Sequence, residues 1–95
     1  MKIDIKNRLN EFHQPLEEHI QRKLRLALSK VAAYISSITF IISDVIGQSE
    51  KHCSLTLSLY HMPNIVIEET HADIYFVIDR VIQKATRTVS RKLSS

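Results

Sequence analysis

The regular alternation of polar and apolar residues over positions 51–60 is the feature that most constrains this fold. Side chains of a β-strand alternate between the two faces of its sheet, so a period of two describes a strand with one buried face. The apolar positions are Cys53, Leu55, Leu57 and Leu59, and the others are His52, Ser54, Thr56, Ser58 and Tyr60. Such a strand needs neighbouring strands and a second layer that covers its apolar face.

Two segments with helical spacing can supply that layer. Apolar residues three and four apart predict a first helix over about residues 13–34, and Glu17 and Glu18 suit the positive end of its dipole. Thr70 and Asp73 resemble a capping box, with Asp in place of Glu, that opens a second helix. The apolar face of that helix comprises Ile74, Ile78, Val81, Ile82, Ala85 and Val89.

Three further β-rich segments cover residues 2–6, 38–45 and 65–69, and the only glycine, Gly47, lies in a turn. The predicted order is therefore β-α-β-β-β-α, and the fold class is α+β. Two helices packed on one face of a four-stranded, mostly antiparallel sheet are the simplest way to bury these apolar stripes. At 95 residues we expect a single domain, residues 1–95.

Positive charge is concentrated in two segments. The whole chain carries 13 basic and 10 acidic residues, a net charge of only +3. However, residues 19–34 contain four cations and no anion, and residues 74–95 contain five cations and one anion, Asp79. The cations of the first segment are Arg22, Lys23, Arg25 and Lys30. This distribution favours a polyanionic partner, with nucleic acid ahead of a membrane.

Four cations of the second helix fall on one narrow face, because their spacings are four, three and four residues. They are Arg80, Lys84, Arg87 and Arg91. We call this set the cation stripe. A row of positive charge suits a row of phosphates. An ordinary solvated helix face, whose cations complement the helix dipole, explains the stripe equally well.

The sequence offers little for catalysis or for a metal. No two of its five histidines have the i, i+4 spacing of a zinc-binding helix, and His52 and Cys53 point to opposite sides of a strand. Cys53 shares the apolar register of its strand, which predicts a buried structural thiol. One glycine cannot form a phosphate-binding loop. We expect no enzyme activity, no metal and no cofactor.

Other features predict the surroundings and the mode of recognition. A single cysteine permits no intrachain disulfide, and we find neither a signal peptide nor a membrane-spanning run, so we expect a soluble cytoplasmic protein. Five large aromatic residues, most of them expected in the core or in helix–sheet packing, form no platform for stacking bases: Tyr34, Phe40, Tyr60, Tyr75 and Phe76. Recognition of structured RNA by its shape and phosphates fits better.

Residues 72–84, ADIYFVIDRVIQK, and the order of elements resemble the ribosome hibernation-promoting factor family, which includes the ribosome-associated inhibitor A (sigma-54 modulation) proteins. Members carry an Asp-hydrophobic-Tyr-Ala-Ala-Ile-Asp run that opens a basic second helix. Phe76 and Val77 replace the two alanines here, whereas the matching positions are Asp73, Tyr75, Ile78 and Asp79. The opening MKIDI and residues 16–18 match as well, so the resemblance covers nearly the whole chain.

The resemblance implies a fold similar to a double-stranded-RNA-binding domain. It also implies binding to the small ribosomal subunit and its rRNA, in the channel shared by mRNA and tRNA, which silences idle ribosomes under stress. Other hibernation factors would be partners, and no membrane or small-molecule substrate is implied. The chain stops at residue 95, so we expect the short form of the family, without the additional C-terminal domain.

Carried over by position, the resemblance assigns the rRNA contacts to the basic faces of both helices. The residues are Arg22, Lys23, Arg25 and Lys30 in the first and Arg80, Lys84, Arg87 and Arg91 in the second. Two alternatives stay open. One is a protein-interaction module of the same fold that does not bind ribosomes, and the other is a free-standing binder of structured RNA.

Overall fold

A computed structural model describes residues 1–11 and 14–94, apart from the side chain of Gln14. These residues form four strands and two α-helices, and a 3₁₀ helix follows the first α-helix. In chain order they are β1 (Lys2–Arg8), α1 (Gln14–Ala27), the 3₁₀ helix (Ser29–Tyr34), β2 (Ile35–Asp44), β3 (Lys51–Leu59), β4 (Ile65–His71) and α2 (Ile74–Ser94). The predicted order β-α-β-β-β-α and the α+β class are confirmed.

The strands lie side by side in the order β1-β2-β3-β4. β1 pairs with β2 in parallel, and the other two pairings are antiparallel, so the sheet is mostly antiparallel as predicted. A parallel pair needs a long crossover connection, and α1 with the 3₁₀ helix supplies it. β1 and β4 are therefore the two edges of the sheet.

The register sorts side chains cleanly between the two faces of the sheet. Phe40 of β2 pairs with Ile5 on one side and with Leu55 on the other, and Leu55 pairs with Ile67. This row lies on the face that the helices cover. The neighbouring row runs across the opposite face: Asp4, Thr39, Thr56 and Val66. The predicted alternation of β3 is confirmed, since Cys53, Leu55, Leu57 and Leu59 are all buried.

Both helices contribute to one apolar core on that covered face. α1 and the residue after it bury Leu16, Ile20, Leu24 and Leu28, whereas α2 buries Val77, Ile78, Val81, Ile82, Ala85 and Val89. Ile74 packs at the margin and is half-buried. None of the described polar or charged residues is buried. α2 packs on β3 and β4, and α1 packs on β1 and against α2.

The first helix is shorter than predicted. The α-helix ends at Ala27, and residues 29–34 form a 3₁₀ helix that buries none of its side chains. Val31 is only half-buried, and Ile35 is buried as the first residue of β2 rather than on a helix. The tighter turn brings the chain back to the sheet, a tertiary demand that apolar spacing does not reveal. The expected start at residue 13 lies outside the described residues.

The cap of the second helix also differs from the prediction. Thr70 belongs to β4, where it pairs with His52. Asp73 is itself the capping residue, because its Oδ1 accepts hydrogen bonds from the backbone N–H groups of Tyr75 (2.9 Å) and Phe76 (3.2 Å). The predicted capping box, with Thr70 in that role, is wrong. Pairing between β3 and β4 continues to His71 and leaves no room for an earlier helix start.

Candidate nucleic-acid interface

The cation stripe lies on the outer side of α2, away from the side that packs on the sheet. Arg80, Arg87 and Arg91 are exposed and Lys84 is half-exposed, whereas the core residues of α2 face the sheet. An α-helix turns by about 100° per residue, so these four side chains span only about 60° of its circumference. The stripe predicted from spacing is therefore present on the folded molecule.

Half of the stripe is held by a carboxylate from the sheet. Glu69 of β4 forms ion pairs with Lys84 Nζ and, at 3.6 Å, with Arg80 Nε. The Glu69 side chain is only 21% exposed. Its hydrogen bond with Lys84, together with the charges of Lys84 and Arg80, lowers the pKa of this carboxyl group from its ordinary value. Arg80 and Lys84 are thus partly neutralised within the protein.

The alternation of β4 predicts this contact, although the distribution of charge along the chain does not. β4 alternates, and Glu69 shares its register with Ile65 and Ile67, which pack on the covered face. Glu69 must therefore point toward the helices, although Glu68 points to the opposite face. At the edge of the sheet it meets the side of α2, since α2 packs on β4.

The other half of the stripe is unpaired. Within the described residues, neither Arg87 nor Arg91 has an ion-pair partner. Both side chains are exposed, and both lie in the last three turns of α2, where cations also complement the helix dipole. Arg87 and Arg91 are consequently the stripe residues most available to an external anion.

The four basic residues of the first segment do not share one face. Lys23 Nζ donates a hydrogen bond to Asp79 Oδ1 of α2 at 2.6 Å. Arg22 and Arg25 are exposed on α1, three residues apart. Lys30 lies on the 3₁₀ helix, beyond the end of α1. Arg22 and Arg25 therefore form an exposed pair on α1. Lys23 is engaged with α2, and Lys30 lies apart from them on the 3₁₀ helix.

A groove between the two helices brings Lys23 of α1 and Arg87 of α2 to one surface. Its volume is about 600 Å³, and Lys23, Arg87 and the exposed Leu26 are among the residues that line it. Asp79 lies in the same groove and holds Lys23 across it. Cations of α1 and α2 that are more than 60 residues apart in sequence therefore border one surface. Only the packing of α1 beside α2 creates this surface.

The single cysteine, Cys53, lies in the core, where its thiol packs as an apolar group. Cys53 is fully buried, and burial raises the pKa of its thiol to about 12, so the nucleophilic thiolate is strongly disfavoured. The described part of the chain contains no group of three or more His, Cys, Asp or Glu side chains that could hold a metal ion. No helix in that part is both long and apolar enough to span a membrane.

The prediction that most large aromatic residues belong to the core is wrong. Of the five considered, only Phe40 is buried, and the exposed ones are Tyr34, Tyr60, Tyr75 and Phe76. Position 76 lies opposite the buried stripe of α2, so Phe76 points away from the sheet. The ring of Tyr75 meets His19 edge-on, and that of Phe76 packs against His71.

The sequence of this α+β chain matches a family model described as "Sigma 54 modulation protein / S30EA ribosomal protein" over residues 3–94. The chain belongs to this family. The resemblance inferred from the MKIDI opening and the residue 72–84 segment is thereby confirmed. No curated protein gives a significant sequence match.

Two solved structures share the fold of this S30EA family member. A ribosomal subunit interface protein from Coxiella burnetii is 20% identical, with a TM-score of 0.85 and a match that covers 100% of both chains. The N-terminal domain of Protein Y from Thermus thermophilus is 21% identical, with a TM-score of 0.75, over 96% of this chain and 98% of that one. At such low identity these likenesses establish the fold alone.

The motif that suggested the S30EA family has clear structural roles in this chain. Asp73 caps α2, and Ile78 is fully buried in the core. Asp79 bridges to Lys23 of α1. The motif thus fixes where α2 begins, how it faces the sheet and how it meets α1, which together position the stripe beside the groove.

Proposed function

We propose that this S30EA family protein binds the small ribosomal subunit and inhibits translation by occupying the channel shared by mRNA and tRNA. Family membership supports the ribosome as partner, and the Coxiella burnetii relative is described as a ribosomal subunit interface protein. Inhibition would follow from occupancy alone, with no chemical step. We also propose that residues 1–95 act as one domain, since the buried residues described form a single cluster.

The observation that carries the proposal is the unpaired end of the cation stripe beside the interhelix groove. Arg87 and Arg91 lack ion-pair partners within the described residues, and Arg87 borders the groove opposite Lys23. Arginine has five donors in a planar fork that matches phosphate geometry. A surface built from two helices, with the unpaired Arg87 on its border, suits the phosphates of folded RNA.

Binding to purified small subunits, measured by co-sedimentation over a series of salt concentrations, tests this proposal. We expect the double variant Arg87→Glu/Arg91→Glu to lose binding while keeping its fold. The single variants Arg87→Ala and Arg91→Ala should each reduce the slope of log affinity against log salt by about one. Undiminished binding by a folded double variant would exclude this surface.

A matched control makes the same change in charge elsewhere. Lys2 and Lys6 are exposed on β1, with side chains on the sheet face opposite the helices. The variant Lys2→Glu/Lys6→Glu should retain most of its affinity for the small subunit. Equal losses in the two double variants would indicate attraction by net charge rather than a defined interface.

A protein-interaction module of the same fold, without ribosome binding, is the alternative. Ion pairing favours it, because three of the eight cations assigned to RNA are neutralised within the protein: Lys23, Arg80 and Lys84. Failure of the wild-type protein to sediment with small subunits, even at low salt, would support this alternative.

A further inference from the structure

Phe76 is a large apolar side chain that remains 47% exposed in the first turn of α2. It precedes Arg80, Arg87 and Arg91 by four, eleven and fifteen residues. At about 100° per residue, it therefore lies within about 60° of each of them around the helix. With a rise of about 1.5 Å per residue, the ring stands about 6 Å along the axis from Arg80 and about 22 Å from Arg91. Phe76 thus marks one end of the cation stripe.

The ring of Phe76 is supported on one side. The imidazole of His71 packs against it, with ring centroids 4.2 Å apart and planes tilted by 34°. His71 is itself held, because the Asp73 backbone N–H donates a hydrogen bond to His71 Nδ1 at 2.9 Å. The backbone N–H of Phe76 donates to Asp73 Oδ1. The supported ring loses little freedom when a ligand covers its exposed side, which lowers the cost of binding.

We propose that Phe76 stacks on an unpaired base of the RNA that the cation stripe binds. This inference rests on the proposed function and adds a residue that selects unpaired nucleotides. Every base offers a π-face to an aromatic ring, and proteins that recognise RNA stack splayed-out bases on such rings. Arg80, Arg87 and Arg91 follow the ring along the same side of the helix. The phosphates of the RNA strand that carries the stacked base would lie there.

The surroundings of Phe76 favour a base over an apolar protein segment. Its neighbours on the outer face of α2 are Asp79, Arg80 and Gln83, all exposed and polar. An apolar partner would need a continuous apolar patch, and the stripe does not provide one. A nucleotide instead combines an apolar base face with a negatively charged phosphate. Phe76 suits the base, and the arginines of the cation stripe suit the phosphate.

The absence of tryptophan from the sequence permits a direct test. In a Phe76→Trp variant, the only indole stands at the proposed stacking position. We expect a hairpin RNA with one unpaired adenine beside its stem to quench the tryptophan fluorescence. A fully paired RNA duplex of equal length should quench it far less. The matched control is Tyr60→Trp, an exposed position just after β3, which should respond to neither RNA.

Affinity for the small subunit gives a second readout. Phe76→Ala should weaken binding about 5- to 150-fold, corresponding to the roughly 1–3 kcal/mol that stacking on one base contributes. Phe76→Tyr should restore it. The salt dependence should be unchanged, because no phosphate contact is removed. Since the ring is half-exposed, Phe76→Ala should keep a cooperative thermal transition with only a small decrease in its midpoint, from the lost packing on His71.

The outcomes separate this inference from the function on which it rests. If the wild-type protein binds small subunits and Phe76→Ala binds equally well, the stacking role is overturned and the proposed function stands. If Phe76→Ala weakens binding but the hairpin does not quench the fluorescence of the Phe76→Trp variant, the contact of Phe76 is not a base. If the wild-type protein binds neither subunits nor hairpin RNA, both proposals fail.

Discussion

Glu69 is the residue that most limits the positive charge α2 can present. Its carboxylate holds Lys84 and lies 3.6 Å from the Arg80 Nε. In the proposed function, phosphates would therefore compete with it for half of the cation stripe. The same contact relieves repulsion among like charges on the helix when no ligand is bound. If the stripe binds phosphates as proposed, Glu69 opposes that binding, so its effect on affinity is testable.

Replacing Glu69 by Gln should strengthen binding to the small subunit. The change frees two cations, so the slope of log affinity against log salt should become steeper by up to about two. Titration at several salt concentrations measures this. Glu68→Gln is the matched control, because it removes the same charge from the opposite face of the sheet. Unchanged affinity in Glu69→Gln would mean that Arg80 and Lys84 do not contact the ligand.

Cys53 is predicted to act through packing alone. It is fully buried between Ile42 and Glu69 in the sheet register. Cys53→Ser places a hydroxyl group there without an assured partner and should lower the free energy of unfolding by about 1–3 kcal/mol. Chemical denaturation measures the loss, and Cys53→Ala, which stays apolar, should cost less. Inhibition of RNA binding by thiol reagents in the folded protein would contradict this assignment.

Among the secondary-structure elements, α2 has a single capping side chain at its start, Asp73. Asp73 Oδ1 accepts hydrogen bonds from two backbone N–H groups that no helical carbonyl can satisfy. The same residue anchors His71, and His71 supports the ring of Phe76. The cap therefore connects the stability of the helix to the geometry of its exposed aromatic residue.

Asp73→Ala should lower the free energy of unfolding by about 1 kcal/mol, because both capping bonds are lost. Asp73→Asn keeps an oxygen acceptor and should be nearly neutral, which separates capping from charge. Thermal and chemical denaturation measure both variants. Thr70→Ala should have a smaller effect, since Thr70 does not cap the helix. Any loss in Thr70→Ala would instead report its contact with His52, whose Nδ1 lies 2.9 Å from Thr70 Oγ1. Equal stability of Asp73→Ala and the wild type would contradict the capping role of Asp73.

At the scale of the whole molecule, the arrangement of the layers decides what can be bound. The sheet carries both helices on one face, and the interhelix groove brings Lys23 and Arg87 to a common surface. The principal extents of the described chain are 41, 22 and 18 Å, an elongated shape. An elongated body with a basic surface on one side suits a channel lined by RNA, in keeping with the proposed function.

If the proposed channel is correct, the protein should compete with initiator tRNA and mRNA for the small subunit. Added to a cell-free translation reaction, it should slow initiation in proportion to its concentration. Excess initiator tRNA and mRNA should relieve the inhibition, because they would share one site with the protein. Arg87→Glu/Arg91→Glu serves as the inactive control. Normal binding of initiator tRNA to subunits saturated with the protein would exclude the channel.

Local patterns in the sequence were sufficient to predict most of the architecture. The alternation around Leu55 and Leu57 identified a strand with one buried face, and the spacing of Ile78 and Val81 identified the buried side of α2. Both periods follow directly from backbone geometry, so neighbouring residues suffice to reveal them. The cation stripe was predictable on the same basis, because it lies within one helix.

Features that depend on residues distant in sequence were decided only by the tertiary structure. α1 ends at Ala27 because the chain must return to pair as β2. β4 continues through His71 because its pairing with β3 extends that far. The pairing of Glu69 with Lys84 needs β4 and α2 to pack together, and the groove needs α1 beside α2. The sequence by itself determined which charges the helices carry; packing determined which of them remain free to bind, because an ion pair depends on distance in space.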